Sequence, residues 1–157
     1  MIESSFQVFH ERYDLTIQGL PDKSPAVNIP VEEDIYNYCT YVTQSCKMEN
    51  EIPIICLVYL ERLILKTGIL LTINNWKRLT LICLCIGSKI WDDDSLENIH
   101  FPKVMADVDL KLINKLEEQF LEFIDFDLVI KGSEYAKYYF ILRTLSEDVK
   151  ESPAKLK

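Results

Sequence analysis

From Leu79 to Ile86 the chain reads Leu-Thr-Leu-Ile-Cys-Leu-Cys-Ile, apolar on every side of a helix rather than along one stripe. Such a helix has no face to give to water and must be enclosed by other elements. The predicted central helix runs from Thr72, a candidate N-cap, to about Ile90. Before it, Ile35, Tyr38, Cys39 and Val42 recur at helical steps behind the acidic turn Glu32-Glu33-Asp34, giving a first helix over residues 31–46. A second spans about 51–67, with Asn50 as candidate N-cap, Pro53 in its first turn and Gly68 as its stop. After a loop holding Asp92 to Asp94 and Pro102, a fourth follows Asp107 or Asp109, with Ile113, Leu116, Phe120, Phe123 and Ile124 on one stripe. A fifth starts with Ser133 as cap and ends near Leu145. Short connections and the absence of period-two alternation predict an all-α fold: five helices bundled around the buried third.

A chain of 157 residues corresponds to one domain with a sizeable core. Residues 1–30 read as an N-terminal arm or short helix carrying Phe6, Val8, Phe9, Tyr13, Leu15 and Ile17, then a linker with Pro21, Pro25 and Pro30. Residues 31–146 form the main domain, and 147–157 a flexible tail. The net charge of −8 argues against nucleic acid and anionic membrane, both of which need clustered cations. No apolar run approaches the roughly 18 residues of a spanning helix. Met1-Ile2-Glu3 is neither a signal-peptide start nor a myristoylation site. Five cysteines without a Cys-x-x-Cys, all among apolar residues, read as reduced core thiols of an intracellular protein, cytoplasmic or nuclear.

Several charges interrupt the apolar segments. Glu61 follows a continuous apolar run and is expected at the buried edge of the second helix, where it needs a cation or a hydrogen-bond partner. Lys89 ends the buried third helix and Glu117 lies inside the fourth, so side-by-side packing can bring both to one edge; taken alone, they read as a solvated pair. Asp92, Asp93 and Asp94 could ligate a hard cation, but the spaced repeats of all-α diphosphate enzymes are missing, and a solvated or partner-facing loop is the simpler reading. His10 and His100 are far apart with no nucleophile pattern, and no glycine-rich phosphate loop exists, so neither a cofactor nor a metal is expected. Trp76 and Trp91 read as packing residues.

The ordered segments Tyr59-Leu60-Glu61-Arg62-Leu63, Trp76-Lys77-Arg78, Ser88-Lys89-Ile90-Trp91-Asp92-Asp93, Leu116-Glu117-Glu118-Gln119-Phe120-Leu121 and Ala136-Lys137-Tyr138-Tyr139-Phe140 resemble the cyclin box. The match spans about residues 31–145 and is similar to the single-box group containing cyclin Y and the fungal Pho-type cyclins. The resemblance implies a non-enzymatic regulatory subunit that binds a cyclin-dependent protein kinase and activates it by repositioning its mobile catalytic helix. It also implies that Lys89 and Glu117 hold main-chain groups of that kinase, with Ile90, Leu121, Phe126 and Leu128 around them. Glu61 matches a structural acid that cyclins pair with an Arg on the first helix. Residues 36–46 hold no Arg, only Tyr41 near that place, which leaves Arg62, Arg78 or a tyrosine hydroxyl as partners. The Met-Arg-x-Ile-Leu docking pattern is missing as well, so a helical adaptor for a non-kinase partner is the alternative.

Overall fold

The computed structural model describes Phe9, residues 31–105 and residues 108–151. The other arm residues, the linker prolines, Asp107 and the chain after Glu151 lie outside the described residues. All regular structure among those described is helical.

The element that must be enclosed is enclosed. Helix α3 (Trp76–Trp91) buries every residue from Leu79 to Ser88, and α1 (Glu32–Ser45), α2 (Ile52–Thr67) and α5 (Leu110–Phe123) pack against it. The α2 partnership is the most extensive. Its buried face is Ile52, Ile55, Cys56, Val58, Tyr59 and Leu63, which recur at helical spacing. Gly87 makes this approach possible: a Cβ there would lie 3.1 Å from Ile55 Cγ2 and 3.6 Å from Ile52 Cγ2. Gly68 ends α2 in the left-handed region at φ +71°, donating its N–H to Ile64 O at 2.8 Å.

Between α3 and α5 a 3₁₀ turn (Asn98–His100) runs into the short α4 (Phe101–Val104), which inserts the buried Phe101 and Met105. Asp109 caps α5 by accepting from Leu112 N at 2.6 Å, and Ile113, Leu116 and Phe120 form its buried stripe. From the N-terminal segment, Phe9 is fully buried with its ring 6.1 Å from that of Phe123.

Helix α3 begins later than expected. Thr72 does not cap it; Thr72, Asn74 and Asn75 form a turn in which the Asn75 amide accepts from Thr72 N (2.7 Å) and donates to Leu70 O (2.9 Å). Thr72 O then takes the N–H of Trp76, so the cap position falls to Asn75. Likewise Glu51, not Asn50, precedes α2.

The chain divides into two compact units, residues 1–127 and 128–157, and α1 to α5 belong to the first. The second contains α6 (Gly132–Glu151), which starts one residue before the expected cap Ser133 and runs past the expected end at Leu145. Within it Tyr139 and Phe140 meet edge to face at 5.5 Å, and Arg143 pairs with Glu147 one turn on at 3.4 Å.

Candidate partner-binding surface

The last turn of α3 leaves the core as it reaches Lys89, whose ammonium sits favourably at the negative end of the helix dipole. Across from it, Glu117 projects from the middle of α5, and Lys89 Nζ donates to Glu117 Oε2. The two side chains are 29% and 25% exposed, so the pair stands at the rim of the α3–α5 contact, open to another molecule. The 3₁₀ turn adds Asn98, whose Nδ2 donates to Asn114 Oδ1 at 2.7 Å and reaches Glu117 Oε2 at 3.5 Å. Among the described residues both contacts of Glu117 fall on Oε2, and Lys89 uses one of its three N–H donors. Unused donor and acceptor capacity therefore remains on both side chains.

Ile90 follows Lys89 and is half exposed, and Leu121 lies one turn beyond Glu117, half-buried. Phe126 stands 65% exposed in the turn that ends α5. Leu128 is half-buried and belongs to the second unit. Trp91 donates a hydrogen bond to the hydroxyl of the buried Tyr59 of α2, which ties the end of α3 to that helix. Burial raises the Tyr59 hydroxyl above its ordinary value, opposed by the Trp91 bond and the Arg62 charge. Trp76 is a packing residue, buried with its ring edge-on to Tyr38 at 5.4 Å.

Glu61 requires a correction. It is exposed, not at a buried edge, and has no side-chain partner among the described residues. The reason is helical phase: nine residues after Ile52 is about two and a half turns, which puts Glu61 opposite the buried stripe. The charge that α2 does engage is the next one, Arg62. Its Nη1 donates to Asp127 O at 2.7 Å and lies 3.6 Å from Asp127 Oδ1, with the guanidinium 5.9 Å from the Tyr59 ring centre. Lys66, one turn on, donates to Ile124 O at 2.9 Å and pairs with Asp127 Oδ2 at 3.3 Å. Arg62 and Lys66 share a face by their spacing of four, a signal present in the sequence. Nothing local announces that the opposite element lies some sixty residues away. Asn98 and Asn114 carry no sequence signal at all.

Asp92 accepts from Ser88 Oγ at 2.7 Å through Oδ2, while Asp93 and Asp94 are exposed. With Cys46 and Glu49 these acids line a shallow cleft of about 330 Å³. Among the described residues, no group of three or more His, Cys, Asp and Glu is placed to hold a metal ion. A second cleft of about 340 Å³ lies beside Tyr38, Tyr41, Lys77 and Arg78. All five thiols are free. Burial pushes Cys39 up to about 11, with Cys56 contributing, and Cys46 up to about 11; it also raises the fully enclosed Cys83 and Cys85. These are packing groups, held protonated, rather than nucleophiles.

The central helix is enclosed, a Lys–Glu pair stands at the rim where it meets α5, and Ile90 and Phe126 are exposed. The family model for cyclins matches residues 18–128, well over half of the chain. The chain belongs to the cyclin family. Cyclins as a family are regulatory rather than catalytic proteins. The matched stretch contains α1 to α5 and with them Lys89, Glu117 and the turn bearing Phe126. No helix among the described residues of this cyclin is long and apolar enough to cross a membrane.

Proposed function

We propose that this cyclin binds a cyclin-dependent protein kinase through Lys89 and Glu117, and activates it by favouring the arrangement in which the mobile helix is in its catalytic position. Ile90, Leu121 and Phe126 supply apolar contacts on the same unit, and Leu128, in the second unit, is a further proposed kinase contact. The observation that carries this reading is the Lys89–Glu117 pair itself, joined at a partly open rim with donors and an acceptor to spare. An ammonium takes carbonyl oxygens and a carboxylate takes amide hydrogens, so together they grip backbone without demanding particular side chains. Apolar neighbours dry those contacts and strengthen them. The kinase is activated only to the extent that its active arrangement is bound better; a hundredfold preference corresponds to about 2.7 kcal/mol. The binding domain is residues 31–146, the site of action is intracellular, and the chain is of the single-box kind found in the cyclin Y and Pho-type group.

The test is pull-down from native extract with mass spectrometry and a kinase assay on the eluate, using the wild type, Lys89→Glu and Glu117→Lys. The wild type should recover a cyclin-dependent kinase whose activity depends on this chain. Each variant should lose it while keeping its helical content and a cooperative melt, with Tm lowered by only several degrees. Undiminished association in either variant would remove the proposed contact. Glu61, exposed and without a side-chain partner among the described residues, and a first helix without Arg favour a second reading, a cyclin-fold adaptor for another protein. Reproducible recovery of non-kinase partners alone would support it.

A further inference from the structure

The turn that ends α5 is built against ordinary backbone preference. Asp125 N donates to Glu122 O at 3.1 Å and Phe126 N to Leu121 O at 2.9 Å, the paired bonds with which a helix closes through a left-handed residue. Glycine normally takes that position, having no Cβ to clash. Here Asp125 takes it at φ +54°, and Phe126 follows, also at φ +54°. Two successive non-glycine residues in the left-handed region are unfavourable and persist only where the surroundings over-determine them.

The surroundings here are two cations one turn apart on α2. Lys66 Nζ binds the Ile124 carbonyl, which precedes the left-handed pair, and Arg62 Nη1 binds the Asp127 carbonyl, which follows it. The Asp127 carboxylate sits between them, 3.6 Å from Arg62 and 3.3 Å from Lys66. Arg62 is only 15% exposed, with its guanidinium 5.9 Å from the ring centre of the buried Tyr59, so the clamp is mounted on the core. The product of this backbone is a large aromatic ring left mostly in water. A core gains nothing from such a ring, whereas an interface gains from a rigid aromatic anchor held in place before binding.

We infer that Arg62 and Lys66 are positioning residues for Phe126: they hold the 125–127 turn left-handed and so present the ring, already oriented, to the kinase. The inference rests on the kinase-binding reading above.

The test has a partner-free arm and a binding arm. In the first, backbone φ at 125 and 126 is read by NMR couplings and chemical shifts in the wild type and in Arg62→Met/Lys66→Met, which keeps the apolar stems. The wild type should show positive φ at both, and the double variant should lose it while α3 amide shifts stay in place. In the second, affinity is measured for the recombinant kinase identified by pull-down. Phe126→Ala should weaken binding at least thirtyfold. The double methionine variant should weaken it comparably, and combining the two should add no further loss. Asp125→Gly, which removes the Cβ penalty, should restore most of the affinity in the double methionine background. Retained positive φ, retained affinity, multiplicative losses or absence of rescue by Asp125→Gly each overturns the inference. If Lys89→Glu loses the kinase while the clamp variant keeps it, the clamp inference alone fails. If Lys89→Glu and Phe126→Ala both bind normally, the kinase-contact reading fails first.

Discussion

Exchanging the two charges, Lys89→Glu with Glu117→Lys, separates an internal tie from a handle for a partner. In the folded chain the pair is about a quarter exposed, so solvent screens it and its contribution to stability is about 0.5–1 kcal/mol. Either single reversal removes that attraction and adds a like-charge contact, a total of about 1–2 kcal/mol. For a chain of this length that lowers Tm by roughly 2–4 °C per kcal/mol. The exchange rebuilds an attractive pair between the same two helices, so urea unfolding followed by circular dichroism should return to within about 0.5 kcal/mol of the wild type. Binding should not return. A carboxylate at 89 faces the position from which an ammonium would donate to kinase carbonyls, and an ammonium at 117 faces amide hydrogens. Losing one partner of a desolvated, charge-assisted contact costs about 2–5 kcal/mol, or at least about thirtyfold in Kd by calorimetry. An exchange variant that binds as tightly as the wild type would refute the reasoning and reduce the pair to an internal tie. A single reversal costing well over 3 kcal/mol of stability would do the same, because the pair would then be structural.

Asp109→Ala should cost about 1 kcal/mol in urea unfolding, through the lost cap on Leu112 N, while Asp109→Asn should cost little. Gly87→Ala should destabilise by about 1 kcal/mol or more instead of giving the gain of about 1 kcal/mol usual for a helical glycine, because Ile55 is buried and β-branched and cannot swing aside. Adding Ile55→Leu, which has no Cγ2, should make the two losses less than additive. Raised thiols make a pH prediction: the Cys39 and Cys46 contributions are fully present below their ordinary value of 9.0 and are lost as pH rises towards about 11, since the unfolded chain ionises first. The urea midpoint should fall between pH 9 and 11, less steeply in Cys39→Ala/Cys46→Ala.

What the sequence made legible were features whose physics is local. The all-round apolar run of α3 announced its own enclosure, Gly68 its left-handed stop and Asp109 its cap. Lys89 and Glu117 could be brought to one rim only by assuming that α3 and α5 pack side by side, which they do. The exposure of Glu61 is hard to read from the sequence because an apolar run long enough to mask helical phase precedes it; counting turns from Ile52 places it outside. An end near Leu145 is too early because the residues after it lack apolar spacing, although Glu, Asp and Lys are all compatible with helical backbone. The turn at Asp125 and Phe126 was illegible for the opposite reason: the usual marker of left-handed backbone is glycine, and here distant cations do the work of the missing glycine.

Helix α5 is fastened at two places to two different helices. Glu117 at its middle meets Lys89 of α3, and the turn at its end meets Arg62 and Lys66 of α2. A rotation of α5 by one residue, about 100°, would break both sets of contacts together, and a one-turn slide of about 5.4 Å would carry Glu117 past Lys89. Neither adjustment is possible without giving up charged hydrogen bonds whose partners are themselves mounted on the enclosed α2–α3 core. The Lys89–Glu117 rim and the Phe126 turn are thus fixed relative to each other before any partner arrives. Little ordering remains to oppose association. On the proposed reading, in which the chain favours one arrangement of a kinase, this matters more than total contact area. A surface that yields to its partner binds both arrangements about equally and shifts nothing, whereas a rigid one discriminates between them by shape.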